Sequence, residues 1–459
     1  MKKYFSSYWI KSAFYTILQR FSMTLLGFIS YLILIRSLST AEMGAWAIFL
    51  AVTSIFEISK TNLLKNAHIR FVSIQEDHTV KASIASSAFL INAAMNIAVI
   101  ILIIFGADWL GRVFNSVNDL PDMLRWFIPG LLGMIIFSHL EAIQQSFLDF
   151  KGPFAGNFVR QLLFFSAVCA HAIWKIPFSL KHLAMYQSIS IWIGTGVLFL
   201  SSRKYLLYKF NYTKQWLKEI VQYGGFIFSS GFVGQLFANI DQLMTATFLR
   251  ASDVAYYNAA GRINQVIDIP SYAASDIMFP KVAQASQGEE NGDRKVRYLY
   301  ERMVAVLLSF TIPAAIFVII FPHFVITIIA GSNEYAPAAL ILQIYMVMGI
   351  MRPMQNQSAN LLNSIGRPGL CLLINAVSLV VNLGINYACL VHFGFYGAAI
   401  GTLITCIVGS IAWYIIMKKL IGANMKSIFV YMIDVYKLIY TKGMGLFQKV
   451  VLKKDNAGS

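Results

Sequence analysis

The sequence predicts an all-α polytopic membrane protein with about twelve transmembrane helices, arranged as two six-helix bundles around a central cavity. Three observations carry this reading. Of the 459 residues, 58% are hydrophobic and only 13% charged, where soluble domains carry roughly 25% charge. Runs of about 20 apolar residues, the length needed to cross a ~30 Å hydrocarbon core, recur along the whole chain. Lysine and arginine crowd every second connection between those runs.

The spans lie near 12–36, 42–64, 82–106, 123–147, 154–174, 182–202, 220–249, 254–280, 299–322, 335–363, 367–391 and 396–418. The opening "MKKYFSSYWIK" has the charged start of a signal peptide. The apolar stretch behind it is too long, and no A-x-A-like cleavage site follows, so it reads as a retained anchor. One set of connections holds Lys2, Lys3 and Lys11, then Lys60 to Lys81, Lys151, Arg203 to Lys218, Lys281 to Arg302, Arg367 and the tail from Lys418. The opposite set holds only Arg36, Arg112, Lys175, Lys181 and Arg250. The positive-inside rule then places both termini in the cytoplasm. Anionic lipid head groups account for the net charge of +16, so nucleic acid is not needed as a partner. Cys169, Cys371, Cys389 and Cys406 all fall within spans without a C-x-x-C pair, and read as packing residues.

The connection 203–219 is the most basic internal one and divides the spans six and six. It sets the expected units: 1–209, 210–420, and a tail 421–459. Across it, "LSTAEMGAWAI" (38–48) aligns with "LRASDVAYYNA" (249–259), matching Leu38 to Leu249, Glu42 to Asp253 and Gly44 to Ala255. "SFLDFKGP" (146–153) aligns with "NLLNSIGR" (360–367), matching Asp149 to Asn363 and Gly152 to Gly366. Two matches at nearly one offset point to duplication. With an even number of spans per half the repeats are parallel, the arrangement that rocks to expose a path alternately to either side. In 425–440, Ile428, Met432, Tyr436 and Ile439 share one helical face, which suits a helix lying in the cytoplasmic interface. The linker 281–298 reads as a solvated loop.

Ionisable groups inside a membrane are costly and mark pathways or paired sites. On span one, Ser12, Thr16, Gln19, Arg20, Thr24, Gly27 and Tyr31 form one face, with Arg20 about 13 Å deeper than Lys11. Span seven repeats the pattern with Gln235, Asn239 and Gln242. Span eight places Asn258, Arg262 and Gln265 together, and Pro270 is expected to kink it. Span four adds His139, Glu141, Gln144 and Gln145, span five Arg160, and span ten Arg352, Gln355 and Asn356. Amides at this density suit a hydroxyl-rich ligand, and arginines suit phosphate through their bidentate fork. Arg20, Arg262, Arg160 and Arg352 are therefore the candidate phosphate ligands, and Gln19, Gln144, Gln235, Asn239, Gln242, Asn258, Gln265, Gln355 and Asn356 the candidate glycan contacts. Glu57, Glu141, Asp241, Asp268 and Asp276 are candidates for H+ or Na+ coupling, or for neutralising nearby arginines. His139 reads as a packing residue. No ATP-binding, metal or hydrolytic motif occurs, so neither an enzyme nor a resident cofactor is expected.

"YLILIRSLSTAEMGAWAIF" (31–49) and "NIDQLMTATFLRASDVAYYNAAGRI" (239–263) resemble the Wzx-type bacterial polysaccharide-biosynthesis flippases. These belong to the multidrug/oligosaccharidyl-lipid/polysaccharide exporter superfamily. The resemblance covers essentially the whole chain. It implies a MATE-like fold in the bacterial inner membrane and the transfer of undecaprenyl-diphosphate-linked repeat units from the cytoplasmic to the outer leaflet, for O-antigen (lipopolysaccharide), capsule or exopolysaccharide. The partners it implies are the lipid-linked oligosaccharide, membrane lipids, a polysaccharide polymerase and a chain-length regulator. The related peptidoglycan-precursor group uses arginines of its first and eighth spans near the diphosphate, where Arg20 and Arg262 stand here. That group typically has two further C-terminal spans, whereas at most an interfacial helix is expected after span twelve here, which argues against that subgroup.

Two other readings remain in play. A cation-coupled drug exporter would share the fold but needs an acid-rich, arginine-poor cavity. A membrane glycan polymerase or glycosyltransferase needs a large outer catalytic loop, and the longest outer connection, 107–122, is short.

Overall fold

The computed structural model describes residues 2–116, 118–147, 149–206, 210–286, 292–437 and 440–441. A helix stands at each of the twelve expected spans: α1 (Lys2–Ser37), α2 (Thr40–Ile74), α3 (His78–Val113), α4 (Leu120–Ser146), α5 (Lys151–Ile173), α6 (Leu180–Ser202), α7 (Lys214–Phe248), α8 (Ala251–Ser286), α9 (Gly292–Ile320), α11 (Ala338–Ser364), α12 (Pro368–Phe393) and α13 (Gly397–Ile421). The short α10 (Pro322–Ala330) follows α9, and α14 covers 425–437. No strand occurs among the described residues. α8 runs unbroken through Pro270. The middle of the inner linker, residues 287–291, and Ile439 lie outside the described residues.

Seven segments, with α12 and α13 joined as one, are long and apolar enough by composition to cross a membrane. The long helices outside that set are α2, α5, α7 and α8, which carry many of the polar candidates. Phe105 on α3 is 82% exposed, and Val380 on α12 and Ile411 on α13 also point outward. Apolar surface of that kind has its place against lipid.

The first of the duplicated motifs marks the same physical event in each half. Ser39 caps α2 in a capping box: its Oγ accepts from the Glu42 amide, and the Glu42 carboxylate accepts from the Ser39 amide at 2.9 Å. At the start of α8 the Asp253 carboxylate accepts from the Arg250 amide at 3.0 Å. The Glu42-to-Asp253 match is thus a repeated helix start. The second match diverges: Gly366 takes a φ of +78° that favours glycine, whereas Gly152 is needed because a Cβ would collide with Gln144.

By compactness the chain forms two units, residues 1–258 with 329–334 and residues 259–328 with 335–459. The division falls within α8, whereas the repeat begins near 210. α7 belongs to the first unit because it packs along α2: Phe71 meets Trp216 and Tyr223, and the Arg70 guanidinium covers the Tyr223 ring at 4.4 Å. The rest of this unit pairs α4 with α6, α5 with α6 and α1 with α5. Trp46 stacks on Phe164, and Phe49 meets Phe127 edge-on.

In the second unit α11 packs on α9 and α13, and α12 on α13. Its core gathers Tyr300, Leu361, Trp413, Met417 and Ile428. Ile428, from the amphipathic face of α14, is 1% exposed, and the Tyr436 hydroxyl donates to the Ser309 carbonyl at 3.0 Å. That face packs on the second unit's own helices, while Phe429, Val430 and Ile433 remain exposed.

Candidate functional site

In the first unit, α1 and α5 meet at Tyr15 with Phe154 (ring centroids 5.8 Å apart) and at Gly27 with Gln161. Arg20 lies between those two contacts along α1, and Asn157 and Arg160 lie between them along α5. Arg20 is exposed and Gln19 half-buried.

Arg160 has an uncommon setting. Its guanidinium lies on the Met134 sulfur at 3.3 Å and over the Phe137 ring at 5.3 Å. Gly194 and Gly156 let α5 and α6 approach closely beside it. Among the described residues it makes no ion pair, although the carboxylates of Glu57 and Glu141 act on it electrostatically. Glu141 is held by Asn157 and Gln145, which donate to its Oε1 at 3.4 and 3.3 Å. Glu57 lines a cavity of about 230 Å³ with Asn96, Leu131, Phe228 and Phe232. His139 packs against Phe89 and His68.

Several of the candidate glycan contacts make hydrogen bonds within the protein. Gln144 is fully buried and donates to the Ser201 and Ser202 hydroxyls, both at 2.7 Å, tying α4 to the end of α6. Asn239 donates back to the Gln235 carbonyl of its own helix. Gln355 donates to the Cys406 carbonyl and the Ser410 hydroxyl, joining α11 to α13. Asn356 donates to the Ser271 hydroxyl at 3.5 Å, joining α11 to α8. Asn258 is buried. The physical reason is supply: an amide has two N–H donors, and each one that a protein carbonyl or hydroxyl accepts is lost to a ligand. Gln235 and Gln242 are half-buried, as is Asp241, while Gln265 is exposed and accepts from Arg262 at 3.4 Å.

Arg352 and Asp268, assigned separately above as anion ligand and coupling acid, form one ion pair at 2.5 Å, with the Asp268 side chain 4% exposed. Around that pair Gln357 donates to the Ser271 carbonyl and Ser275 hydroxyl, and Asn360 to the Ser275 carbonyl. The Asp276 side chain lies outside the described residues. Sequence reading missed Asn382 and Asn386 on α12. Both are fully buried and share hydrogen bonds with each other and with Thr402. Their i, i+4 spacing was the available signal, masked by the strongly apolar residues around them.

Residues 33–339, more than half of the chain, match the family described as "Polysaccharide biosynthesis protein". The chain belongs to this family. Relatives of the polysaccharide biosynthesis protein include the "Probable low-salt glycan biosynthesis flippase Agl15" of Haloferax volcanii, 24% identical over 42% of this chain and 40% of the relative. "Teichuronic acid biosynthesis protein TuaB" of Bacillus subtilis is 28% identical over 46% of each. The matches thus span about half the length of these curated relatives. An "Uncharacterized membrane protein in cps region" of Klebsiella pneumoniae is 22% identical over 90% of this chain and 83% of its own. Among solved structures, the Lipid II flippase MurJ in an inward closed conformation superposes with a TM-score of 0.76 at 14% identity, covering 94% of this chain and 93% of that one. An inward-facing multidrug MATE transporter gives 0.77 at 15% identity, covering 87% and 94%. This member of the polysaccharide biosynthesis family therefore has a MATE-like, all-α, multi-pass membrane fold.

Proposed function

We propose that this transporter flips undecaprenyl-diphosphate-linked oligosaccharide repeat units from the cytoplasmic to the outer leaflet of a bacterial inner membrane, for assembly of O-antigen, capsule or exopolysaccharide. Both termini are cytoplasmic in this reading. The chain makes and breaks no glycosidic bond itself and hands its product to a polymerase working with a chain-length regulator.

The observation that carries the reading is Arg160. A guanidinium within a span, resting on a thioether and an aromatic face rather than on a carboxylate, keeps its donors available for an oxyanion. A diphosphate offers the planar, bidentate acceptors that such a group recognises. Arg20, on the helix that packs against α5, is the second ligand from this unit. Arg352, engaged by Asp268, plays a structural part. Glu57 and Glu141 are the acids placed to couple H+ or Na+ to the occupancy of Arg160, because both already act on it electrostatically.

The test is complementation of a strain lacking the gene. Arg160→Ala and Arg20→Ala should each reduce surface polysaccharide roughly tenfold or more, with lipid-linked repeat units accumulating and membrane levels of the protein unchanged. Normal surface polysaccharide from both variants would sink the assignment.

A further inference from the structure

The connection after α3 does more than link two spans. α3 ends in a Schellman motif: the Ser116 amide donates to the Gly111 carbonyl at 2.9 Å and the Asn115 amide to Arg112 at 3.4 Å, with Asn115 left-handed at φ +49°. Glycine is the usual residue at that position and asparagine the costlier choice. The Asn115 side chain shows what asparagine adds. Its Nδ2 donates to the carbonyls of Ala246, Thr247 and Leu249, at 3.1, 3.1 and 2.9 Å. These are carbonyls at the C-terminal end of α7, where a helix has no N–H donors of its own to offer them.

Two neighbouring contacts close on the same region. Gly44 lies so near the first residue of α8 that a Cβ there would sit 1.7 Å from the Ala251 carbonyl oxygen. The Arg36 Nε donates to the Ile329 carbonyl at 3.2 Å, and Gly331 at φ +71° packs on the same Arg36 side chain. Residues 246–251 and 329–334 belong to the second run of six spans, yet all of them are held here by α1, α2 and the end of α3. Each contact lies in a connection poor in lysine and arginine, the outer set by charge.

We propose that Asn115 is the pin of an outer-side latch that holds the end of α7 in the conformation described here, and that it releases when the transporter opens outward. The design is reversible. The Thr247 and Leu249 carbonyls are exposed, so water takes over as donor when the pin leaves, and one amide with two protons shared among three acceptors is a modest hold. The backbone fold of the connection survives release because the Schellman bonds do not involve the side chain.

This inference rests on the transporter reading but not on its cargo, and the test uses no substrate. Spin labels at Arg112→Cys and Phe248→Cys, both exposed positions, report the distance from the end of α3 to the end of α7 in the full-length protein in lipid nanodiscs. Asn115→Gly keeps the left-handed turn and removes the pin. Asn115→Asp keeps shape and turn but sets a carboxylate against three carbonyl oxygens. The longer-distance population is expected to rise roughly two- to tenfold in Asn115→Gly and further in Asn115→Asp. Distance distributions unchanged in both variants would overturn the latch, as would equal or greater closure in Asn115→Gly, the result a mere helix cap gives. If Asn115→Asp fails to insert, the glycine variant decides alone. Loss of polysaccharide transport with unchanged distances would leave the flippase reading standing and this one refuted.

Discussion

The two units treat the charges inside them in opposite ways. In the second, Arg352 and Asp268 form a direct ion pair at 2.5 Å, and Gln357 and Asn360 stitch α11 to α8 around it. In the first, Arg160 rests on sulfur and an aromatic ring, with Glu57 and Glu141 acting on it electrostatically. A guanidinium already neutralised stabilises its own unit. One left on soft, uncharged neighbours stays responsive to an arriving anion. The difference separates an arginine spent on an ion pair from the one proposed above as an anion ligand, although both have the same look in the sequence.

The sharpest way to break that contrast is to remove the acid of the pair. Asp268→Ala removes the buried carboxylate facing an Arg352 side chain that is itself 34% exposed, and the loss should be about 1–3 kcal/mol of stability, read as a lowered thermal midpoint in detergent. Replacing both partners together, Asp268→Leu with Arg352→Leu, should recover most of it, since an apolar pair of similar volume is well tolerated where an ion pair was buried. If the single and double variants melt alike, the pair is not what holds α8 to α11.

The next contrast is between amides. Gln357 is fully buried and makes two hydrogen bonds to α8, so Gln357→Leu should cost about 1–3 kcal/mol by leaving helix acceptors without a donor. Gln19 is half-buried on α1, and Gln19→Leu should change stability by less than about 0.5 kcal/mol. Equal losses at the two sites would erase the distinction between stitching amides and available ones.

How much of this was legible in advance follows the same line. Span positions, the duplication and the arginines were readable because hydropathy, charge alternation and helix-start chemistry are local. Glu42 and Asp253 matched in sequence because each carboxylate receives the backbone amide of the residue three before it. Which amide is already engaged was not legible. Gln144 differs from Gln145 only in facing Ser201 and Ser202 from another helix, and no one-dimensional pattern records that. The compact division inside α8 was hidden likewise, since it depends on α7 lying along α2. Asn115 passed as a loop residue because its partners are backbone carbonyls 131 to 134 positions away.

The smallest effect concerns an acid given the opposite treatment to Asp268. Asp119, at the start of α4 and outside the membrane spans, is partly buried beside Glu42 and Asp122, and these raise its carboxyl above the ordinary value near 3.8 despite Lys181 nearby. The folded state therefore binds this proton more tightly than the unfolded chain does. Its contribution to stability is fully present below pH 3.8 and is lost as pH rises through the higher folded value. At neutral pH the ionised group works against the fold, so Asp119→Asn should raise the thermal midpoint slightly there and leave it unchanged at the acid end. A midpoint lowered at neutral pH would mean that Lys181 outweighs Glu42 and Asp122, making Asp119 a partnered acid like Asp268 rather than its opposite.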